Sequence, residues 1–343
     1  MNKRVLISAS VLAMTLSSAA HARDYITIVG SSTVYPFATV VAERFGKTSF
    51  NTPKIESTGS GGGMKLFCSG IGVETPDVTN SSRRMKASEF KLCQENGVTD
   101  IVEVLIGYDG IAFSNSVDAD QLELDLKDIF LALAKQVPNP DGSDTLVDNP
   151  YTMWSEVNAS LPDIDIEVLG PPPTSGTRDA FAELAMEGGC EEFDFVKSLD
   201  KNQFKQVCHT MREDGMYVEA GENDNLIVQK LQANPDAVGI FGYSFLEQND
   251  DVVQSSMVGG VEAEFEAIAE GDYPISRPLY FYVKKQHVGT VPGIKEYLAE
   301  FTKETTWGSD GYLADKGMIP LNEELRDETG DAIRNLETLS AIE

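Results

Sequence analysis

Three short clusters of serine, threonine and glycine carry the strongest chemical signal in this chain of 343 residues. They occupy residues 30–33 (Gly-Ser-Ser-Thr), 58–63 (Thr-Gly-Ser-Gly-Gly-Gly) and 174–178 (Thr-Ser-Gly-Thr-Arg). Each follows an apolar run that predicts a strand and precedes a segment that predicts a helix. Helix N-termini bind anions, because their first N–H groups lack helical partners and the positive end of the helix dipole lies there. Three such clusters predict that separate helices converge on one small oxyanion.

Each cluster alone also fits a simpler role, since serine, threonine and glycine are common helix caps. Their threefold occurrence favours ligand binding over capping. The run of glycines at 59–63 favours a close approach of backbone to ligand, but it is not a nucleotide P-loop, because Met64 separates Gly63 from Lys65. Arg83 and Arg178 fit ligand contacts better than surface ion pairs.

An enzyme is the weaker interpretation. Beyond residue 22 the histidines are His209 and His287, and neither belongs to a catalytic motif. The chain contains neither G-x-S-x-G nor H-E-x-x-H. A phosphatase or hydrolase that uses the same oxyanion cradle stays open as an alternative. The sequence therefore predicts a binding protein with no catalytic residues, no cofactor and no metal site.

The first 22 residues predict a secretory signal peptide. Lys3 and Arg4 form a basic start, residues 5–13 are mostly apolar, and Ala-His-Ala at 20–22 fits a cleavage site. The apolar stretch is shorter than the roughly 20 residues that a membrane span needs, and no cysteine follows the cleavage site for a lipid anchor. We expect an exported, periplasmic protein.

The charge balance restricts the partners. The chain has 27 Lys and Arg residues against 55 Asp and Glu residues, a formal net charge of −28. Such a surface disfavours nucleic acids and anionic membranes. It also repels an anionic ligand at long range, but salt screens that repulsion beyond roughly 8–10 Å. A local ring of donors can therefore still bind an anion. We also expect the protein to be a monomer.

Four cysteines, Cys68, Cys93, Cys190 and Cys208, follow the predicted signal peptide. An even number in an exported chain favours disulfides, although four cysteines allow three connectivities. The local pairing, Cys68 with Cys93 and Cys190 with Cys208, closes loops of modest length and is favoured. A metal site is the alternative, but no C-x-x-C or H-x-x-x-H spacing supports it.

Predicted strands and helices alternate along the chain, which indicates an α/β fold with a mostly parallel sheet and helices on both faces. The length favours two lobes over one core. The predicted strands cover residues 25–29, 54–57, 77–80, 104–113, 164–169, 237–241 and 279–283. The predicted helices cover residues 37–45, 124–134, 180–186, 225–232, 291–302 and 311–316. Residues 137–150, rich in Pro, Asn and Asp, predict a surface loop.

Together these motifs resemble the periplasmic phosphate-binding proteins of ABC transporters. The resemblance rests on the clusters at 30–36, 58–63 and 174–178, on Asp-Val-Thr-Asn-Ser-Ser-Arg at 77–83, and on the region from Asn225 to Phe241. The motifs follow the family's order over nearly the whole chain after residue 22. The family has the type II binding-protein fold, in which two lobes are joined by two crossover strands. Its members carry inorganic phosphate to an inner-membrane ABC permease.

The resemblance implies lobe boundaries and a ligand set. Lobe one would comprise residues 23–107 and 280–343, and lobe two residues 108–279, with crossovers near 104–113 and 279–283. Phosphate would lie between the lobes. The implied ligand-binding residues are Ser32, Thr33, Val34 (through its N–H), Ser60, Gly61, Ser82, Arg83, Ser175, Gly176, Thr177 and Arg178.

The chain departs from the family's pattern at two places. Many members have an aspartate where this chain has Ser82 or Arg83, and that carboxylate accepts the proton of phosphate. Many also have an arginine and an aspartate just before the Ser-Gly-Thr, where this chain has prolines at 171–173. Asp109 is the candidate for a replacement acceptor. Without one, we expect weaker discrimination against sulfate, and receptors for sulfate or molybdate stay open as alternatives.

Overall fold

The computed structural model describes residues 23–221 and 224–342. The predicted signal peptide, residues 1–22, lies outside the described residues. The strands are β1 (Thr27–Gly30), β2 (Lys54–Ser57), β3 (Val78–Ser81), β4 (Ile101–Ser116), β5 (Glu123–Leu124), β6 (Gln136–Pro138), β7 (Leu146–Asp148), β8 (Val168–Gly170), β9 (Tyr217–Glu219), β10 (Val238–Gly242), β11 (Val253–Ser255), β12 (Met257–Val258) and β13 (Ser276–Lys284).

The helices alternate with these strands. They are α1 (Tyr35–Phe45), α2 (Ser60–Phe67), α3 (Ala87–Glu95), α4 (Leu126–Leu133), α5 (Trp154–Val157), α6 (Gly176–Phe181), α7 (Glu187–Cys190), α8 (Asp194–Lys197), α9 (Lys201–His209), α10 (Asp224–Ala233), α11 (Tyr243–Gln248), α12 (Phe265–Glu270), α13 (Ile294–Phe301), α14 (Glu304–Trp307) and α15 (Glu323–Asn335). A π-helical turn, Ala182–Met186, joins α6 to α7, and Lys285–His287 and Ala314–Lys316 form 3-10 turns. No helix in the described ranges has the length and apolar character to cross a membrane.

Nine strands of the described chain form one sheet, in the order β2-β1-β3-β13-β4-β10-β8-β9, with β11 also paired to β4. β1, β2 and β3 are parallel to one another, as are β8, β9 and β10. β4 and β13 are antiparallel to each other and to their other neighbours. The sheet therefore has two halves, each made of parallel strands, and two long crossover strands join them. This confirms the expected fold class.

The pairing of the two crossover strands, β4 and β13, is irregular at one point. Their pairing shifts register between Leu279 and Tyr280, where Leu279 faces Gly107 and Tyr280 faces Leu105. Gly107 has φ +152°, in the region that favours glycine. A Cβ there would lie 2.5 Å from the carbonyl oxygen of Ile319. The hydrogen-bonded ladder between β4 and β13 is therefore interrupted at Gly107 and Leu279.

Helix α1 shows how the sequence pattern produces the first half. Phe37, Val41 and Phe45 recur at helical spacing and are buried, as the periodicity predicted. Pro36 lies in the first turn, where its missing N–H costs nothing. Burial of this face holds α1 against the sheet and fixes the position of the cluster that precedes it.

Two predicted elements need correction. Residues 137–150 are not a plain loop, because β6 and β7 pair as an antiparallel hairpin. Val137 is fully buried, so one apolar side chain anchors an otherwise polar segment whose Gly142, at φ +83°, serves the turn. The helix expected over 311–316 is only the short 3-10 turn Ala314–Lys316.

The local disulfide pairing is confirmed. The sulfurs of Cys68 and Cys93 are 1.97 Å apart and join the end of α2 to α3. Those of Cys190 and Cys208 are 2.03 Å apart and join α7 to α9. Each bridge therefore ties together two consecutive or nearby helices within one half of the sheet.

Candidate anion-binding site

The ends of three neighbouring strands meet at one edge of the first half. β1, β2 and β3 are parallel, so their carboxyl ends share an edge, where ligands of α/β proteins commonly bind. Residues from the loops after all three strands line one cavity of about 700 Å³. From this half they are Ser31, Ser32, Gly59, Ser60, Gly61, Ser82, Arg83 and Arg84. The structure thus brings together the first two clusters and the Ser82-Arg83 segment.

The start of α2 presents backbone and hydroxyl donors to this cavity. Gly59, with φ +72°, turns the chain into the helix. The first intrahelical bond runs from Gly63 N–H to the Gly59 carbonyl, so the N–H groups of residues 60–62 precede it. The Ser60 hydroxyl accepts a hydrogen bond from the Ser82 N–H at 3.1 Å and lies 3.1 Å from the Ser82 hydroxyl. The two junctions are therefore in direct contact.

Glycine makes this convergence possible. A Cβ on Gly63 would lie 2.5 Å from the Cα of Gly30 and 2.6 Å from the Thr79 hydroxyl. Helix α2 therefore packs directly on the ends of β1 and β3. Gly30 has φ +127°, and a Cβ there would lie 2.1 Å from the Asn80 carbonyl oxygen. A side chain at either position would push the two helix starts apart.

The three predicted ligands before α1 have different surroundings. Ser32 is exposed and lines the cavity. The Thr33 hydroxyl accepts a hydrogen bond of 2.5 Å from Nη2 of Arg277. The Val34 N–H donates to the Ser31 hydroxyl at 3.4 Å. Of these three residues, Ser32 is the one that lines the cavity.

Arg83 lies at the cavity wall but is already paired. Its two Nη atoms donate to the two carboxylate oxygens of Glu89 at 2.9 and 2.7 Å. Burial opposes ionisation of Glu89, but the hydrogen bonds from Arg83 and from the Lys86 N–H outweigh it and lower the pKa of this carboxyl. Arg84 is paired similarly with Glu103 and is more exposed. An anion that contacts either arginine therefore shares its guanidinium with a carboxylate.

The third predicted cluster does not line this cavity. The Ser175 hydroxyl caps α6 by accepting a hydrogen bond from the Thr177 N–H at 3.2 Å, and Gly176 is the first residue of the helix. Arg178 donates to the Pro171 carbonyl at 3.2 Å and stacks over the Tyr217 ring. Burial raises the pKa of Tyr217 to about 12. These contacts hold Arg178 against its own half of the sheet.

A different set of residues forms the opposite wall. The π-helical turn and α7 contribute Glu183, Leu184 and Glu187, and α9 contributes Lys201, Phe204, Lys205 and His209. His209 forms a hydrogen bond with Glu187 through its Nε2 atom. The disulfide Cys190–Cys208 holds α7 and α9 together. This wall therefore combines two carboxylates with several cationic or protonatable groups.

Arg277, near the start of the crossover strand β13, also lines the cavity. Its Nη1 donates to Glu183 at 2.7 Å, and its Nε donates to Asp109 at 3.2 Å. Together with the bond to Thr33, these contacts join Arg277 to one residue from each half, Thr33 and Glu183, and to Asp109 on the crossover strand β4. Asp109, the candidate proton acceptor, is thus a partner of this arginine.

Arg277, Glu183 and the basic residues of α9 were not among the residues predicted from the sequence. Asp200 caps α9 by accepting hydrogen bonds from the N–H groups of Asn202 and Gln203, and this capping pattern was a usable signal for the helix. Arg277 gave a weaker signal, an isolated charge ahead of an apolar strand. Within the described ranges, no group of three or more His, Cys, Asp or Glu side chains is placed to hold a metal ion.

Two parallel half-sheets, two crossover strands and a polar cavity at the strand ends define the type II solute-binding protein fold. The chain belongs to the PBP superfamily, whose domain model matches residues 17–305. This is a family of solute-binding proteins.

Curated relatives are similar over most of their length. The chain is 29% identical over 314 residues to the protein SphX of Synechocystis sp., covering 87% of this chain and 79% of the relative. It is 28% identical over 279 residues to the phosphate-binding protein PstS of Staphylococcus saprophyticus, covering 78% of this chain and 73% of the relative.

Solved structures share the fold. A possible phosphate-binding protein from Planctomyces limnophilus has a TM-score of 0.72 and 25% identity, over 92% of this chain and 99% of that one. PstS from Borrelia burgdorferi has a TM-score of 0.57 and 17% identity, over 87% of this chain and 99% of that one. The second likeness shows the fold alone.

Proposed function

We propose that this protein captures inorganic phosphate in the cavity between the two halves and delivers it to an ABC-type phosphate permease of the inner membrane. The observation that carries the proposal is the contact between Ser60 and Ser82, which joins two loop-to-helix junctions at one polar cavity. Relatives named as phosphate-binding proteins align over most of the chain.

The donors suit a tetrahedral oxyanion. Ser32, Ser60, Gly61 and Ser82 supply hydroxyl and N–H groups, and Arg83 supplies positive charge at the same wall. Hydrogen bonds to a charged ligand in a partly closed cavity are stronger than those between neutral groups. This local complement offsets the repulsion from a chain of formal net charge −28, because salt screens the distant carboxylates.

Phosphate binding is proposed to close two lobes, residues 23–107 with 280–343 and residues 108–279. The register shift at Leu279 and Tyr280, opposite Gly107, supports a hinge at this level. Closure would carry Ser175, Gly176, Thr177 and Arg178 of the second lobe towards the ligand, and Thr33 and the Val34 N–H would contribute from the first lobe. Arg178 would exchange its contact with the Pro171 carbonyl for a phosphate oxygen.

The cellular setting follows from the same proposal. Residues 1–22 would direct export and be removed, and the protein would act in the periplasm as a monomer without nucleic acid. No catalytic step is required, since capture and release of an unchanged ion suffice. The two disulfides suit an oxidising compartment.

Equilibrium dialysis of the purified protein against labelled phosphate tests the proposal. Arsenate, sulfate and molybdate serve as competitors, and hydrolysis of a phosphate ester is followed in parallel. The proposal expects one phosphate per chain and no turnover. Preference for sulfate or molybdate, or steady release of phosphate from the ester, would require a different function.

A further inference from the structure

Arg277 differs from the other arginines near the cavity in its burial and in the number of elements that it contacts. Its side chain is 8% exposed, against 33% for Arg83 and 54% for Arg84. It donates one hydrogen bond each to Thr33, Asp109 and Glu183. These three bonds engage all three nitrogens of the guanidinium.

The two carboxylates on Arg277 are not equivalent. Asp109 faces Arg277 across the paired strands β4 and β13 and is 17% exposed. It is held there by the sheet itself. Glu183 comes from the π-helical turn of the second half and is 47% exposed. A half-exposed carboxylate in an ion pair loses little when it returns fully to water. Asp109 is therefore the fixed partner, and Glu183 the exchangeable one.

Glu183 also offers the same chemistry as the proposed ligand. Carboxylate and phosphate oxygens both accept charge-assisted hydrogen bonds from a guanidinium, and they compete for the same N–H groups. Arg277 and Glu183 both line the cavity, so the bond between them lies at the cavity wall. The bond between Arg277 and Glu183 is thus a contact that an incoming anion can replace.

We propose that Arg277 is a ligand-contacting residue and that Glu183 is a built-in competitor, which occupies its guanidinium until an oxyanion displaces it. This inference rests on the proposed binding of phosphate. On displacement, the Glu183 carboxylate moves into solvent and the phosphate oxygen accepts the Nη1 hydrogen bond. The Asp109 contact persists and holds the guanidinium in place. Release of Glu183 also removes a tie between the second half and the crossover strand.

The two residues should have opposite effects on affinity, which calorimetry with inorganic phosphate measures. Arg277→Gln weakens binding by about tenfold or more, as for truncated buried charge partners. Glu183→Gln tightens binding by about 1.5- to 5-fold, the range expected from a half-exposed ion pair. Glu187→Gln is the matched control, because it removes the same charge from the same cavity wall but does not contact Arg277.

The outcomes separate this inference from the proposed function. Failure of the unaltered protein to bind phosphate refutes the proposed function and the competition with it. Normal binding by the unaltered protein, with no gain in Glu183→Gln or an equal gain in Glu187→Gln, refutes the competition alone. If a folded Arg277→Gln variant binds phosphate with the affinity of the unaltered protein, Arg277 does not contact the ligand. If Arg277→Gln does not fold, the comparison of the two glutamate variants still decides the competition.

Discussion

The hydroxyl of Ser60, at the start of α2, lies 3.1 Å from the hydroxyl of Ser82, just after β3. The two residues are 22 positions apart in the sequence, and each follows a different strand of one parallel set. Their contact means that an oxyanion at this point meets donors from two separate elements at once. Affinity for the anion then depends on the position of the first turn of α2 as well as on the hydroxyls themselves.

The first prediction concerns the hydroxyl of Ser60. Ser60→Ala should weaken phosphate binding by about 1.5–3 kcal/mol, the range for a hydrogen bond to a charged group. Ser69→Ala is the control, because the Ser69 hydroxyl is exposed and donates to the Leu66 carbonyl beyond the other end of α2. Calorimetry compares the two variants. Equal affinities for Ser60→Ala and the unaltered protein would mean that this hydroxyl does not contact the ligand.

The second prediction concerns Arg178. Arg178→Ala should weaken phosphate binding by about 2–4 kcal/mol, and Arg178→Lys should not restore it, because an ammonium cannot bind two oxygens in the same planar geometry. Lys127→Ala is the control, since Lys127 also stacks on an aromatic ring, that of Phe193, away from the cavity. A stable Arg178→Ala protein with native affinity would leave Arg178 with only its structural contacts to Tyr217 and Pro171.

The third prediction concerns stability at alkaline pH. Burial lowers the pKa of Lys284 to about 8, whereas an unfolded lysine titrates near 10.4. Between these values the unfolded chain binds more protons, so the free energy of unfolding rises with pH, by at most about 1.4 kcal/mol per unit. Above about pH 10 the trend reverses, because burial raises the pKa of Tyr243 and Tyr280 to about 12.

Urea unfolding at several pH values between 7 and 10 measures this slope. Lys284→Met should abolish the contribution of Lys284 between pH 8 and 10, whereas Lys47→Met, at an exposed position, should retain it. The same pH dependence in both variants would show that Lys284 titrates normally in the folded protein.

The fourth prediction concerns the disulfides. Replacing both cysteines of either bridge by serine should lower the free energy of unfolding by about 2–4 kcal/mol. Loss of Cys68–Cys93 should leave phosphate affinity unchanged, because the bridge lies at the far end of α2 from Ser60. Loss of Cys190–Cys208 should weaken binding, since that bridge holds α9 against α7 at the cavity wall. Equal affinities for both double variants would contradict this distinction.

The sequence predicted elements whose signals are local. The spacing of Phe37, Val41 and Phe45 identified α1, and glycine runs next to strands identified the helix starts that meet at the cavity. Helix α9 was not predicted, although Phe204, Val207 and Cys208 recur at helical spacing, because the helix is short and begins with three polar residues. The cap at Asp200 marks where it begins.

The contacts of Arg277 show what local signals cannot supply. Its partners Thr33 and Glu183 are 244 and 94 positions away in the sequence. No spacing rule links them, and they meet through the assembly of the sheet, in which β13 pairs with β4 and β3, and of the helices packed on it. The position of the third cluster relative to the first two likewise depends on contacts that no local pattern reveals. Its motif was recognisable, but its orientation depends on Tyr217 and Pro171 in the second half.

The most direct test of the account is a calorimetric titration of the purified protein with phosphate and, separately, with sulfate at the same pH and salt. We predict one phosphate per chain. Five heavy atoms at up to about 1.5 kcal/mol each allow roughly 7.5 kcal/mol, a low-micromolar dissociation constant, and charged hydrogen bonds can exceed that bound. Sulfate should bind more weakly than phosphate. Its binding should still be measurable, because this chain has Ser82 and Arg83 where many members of the resembled family have the aspartate that accepts the proton of phosphate. Tighter binding of sulfate than of phosphate, or no phosphate binding at all, would contradict the account.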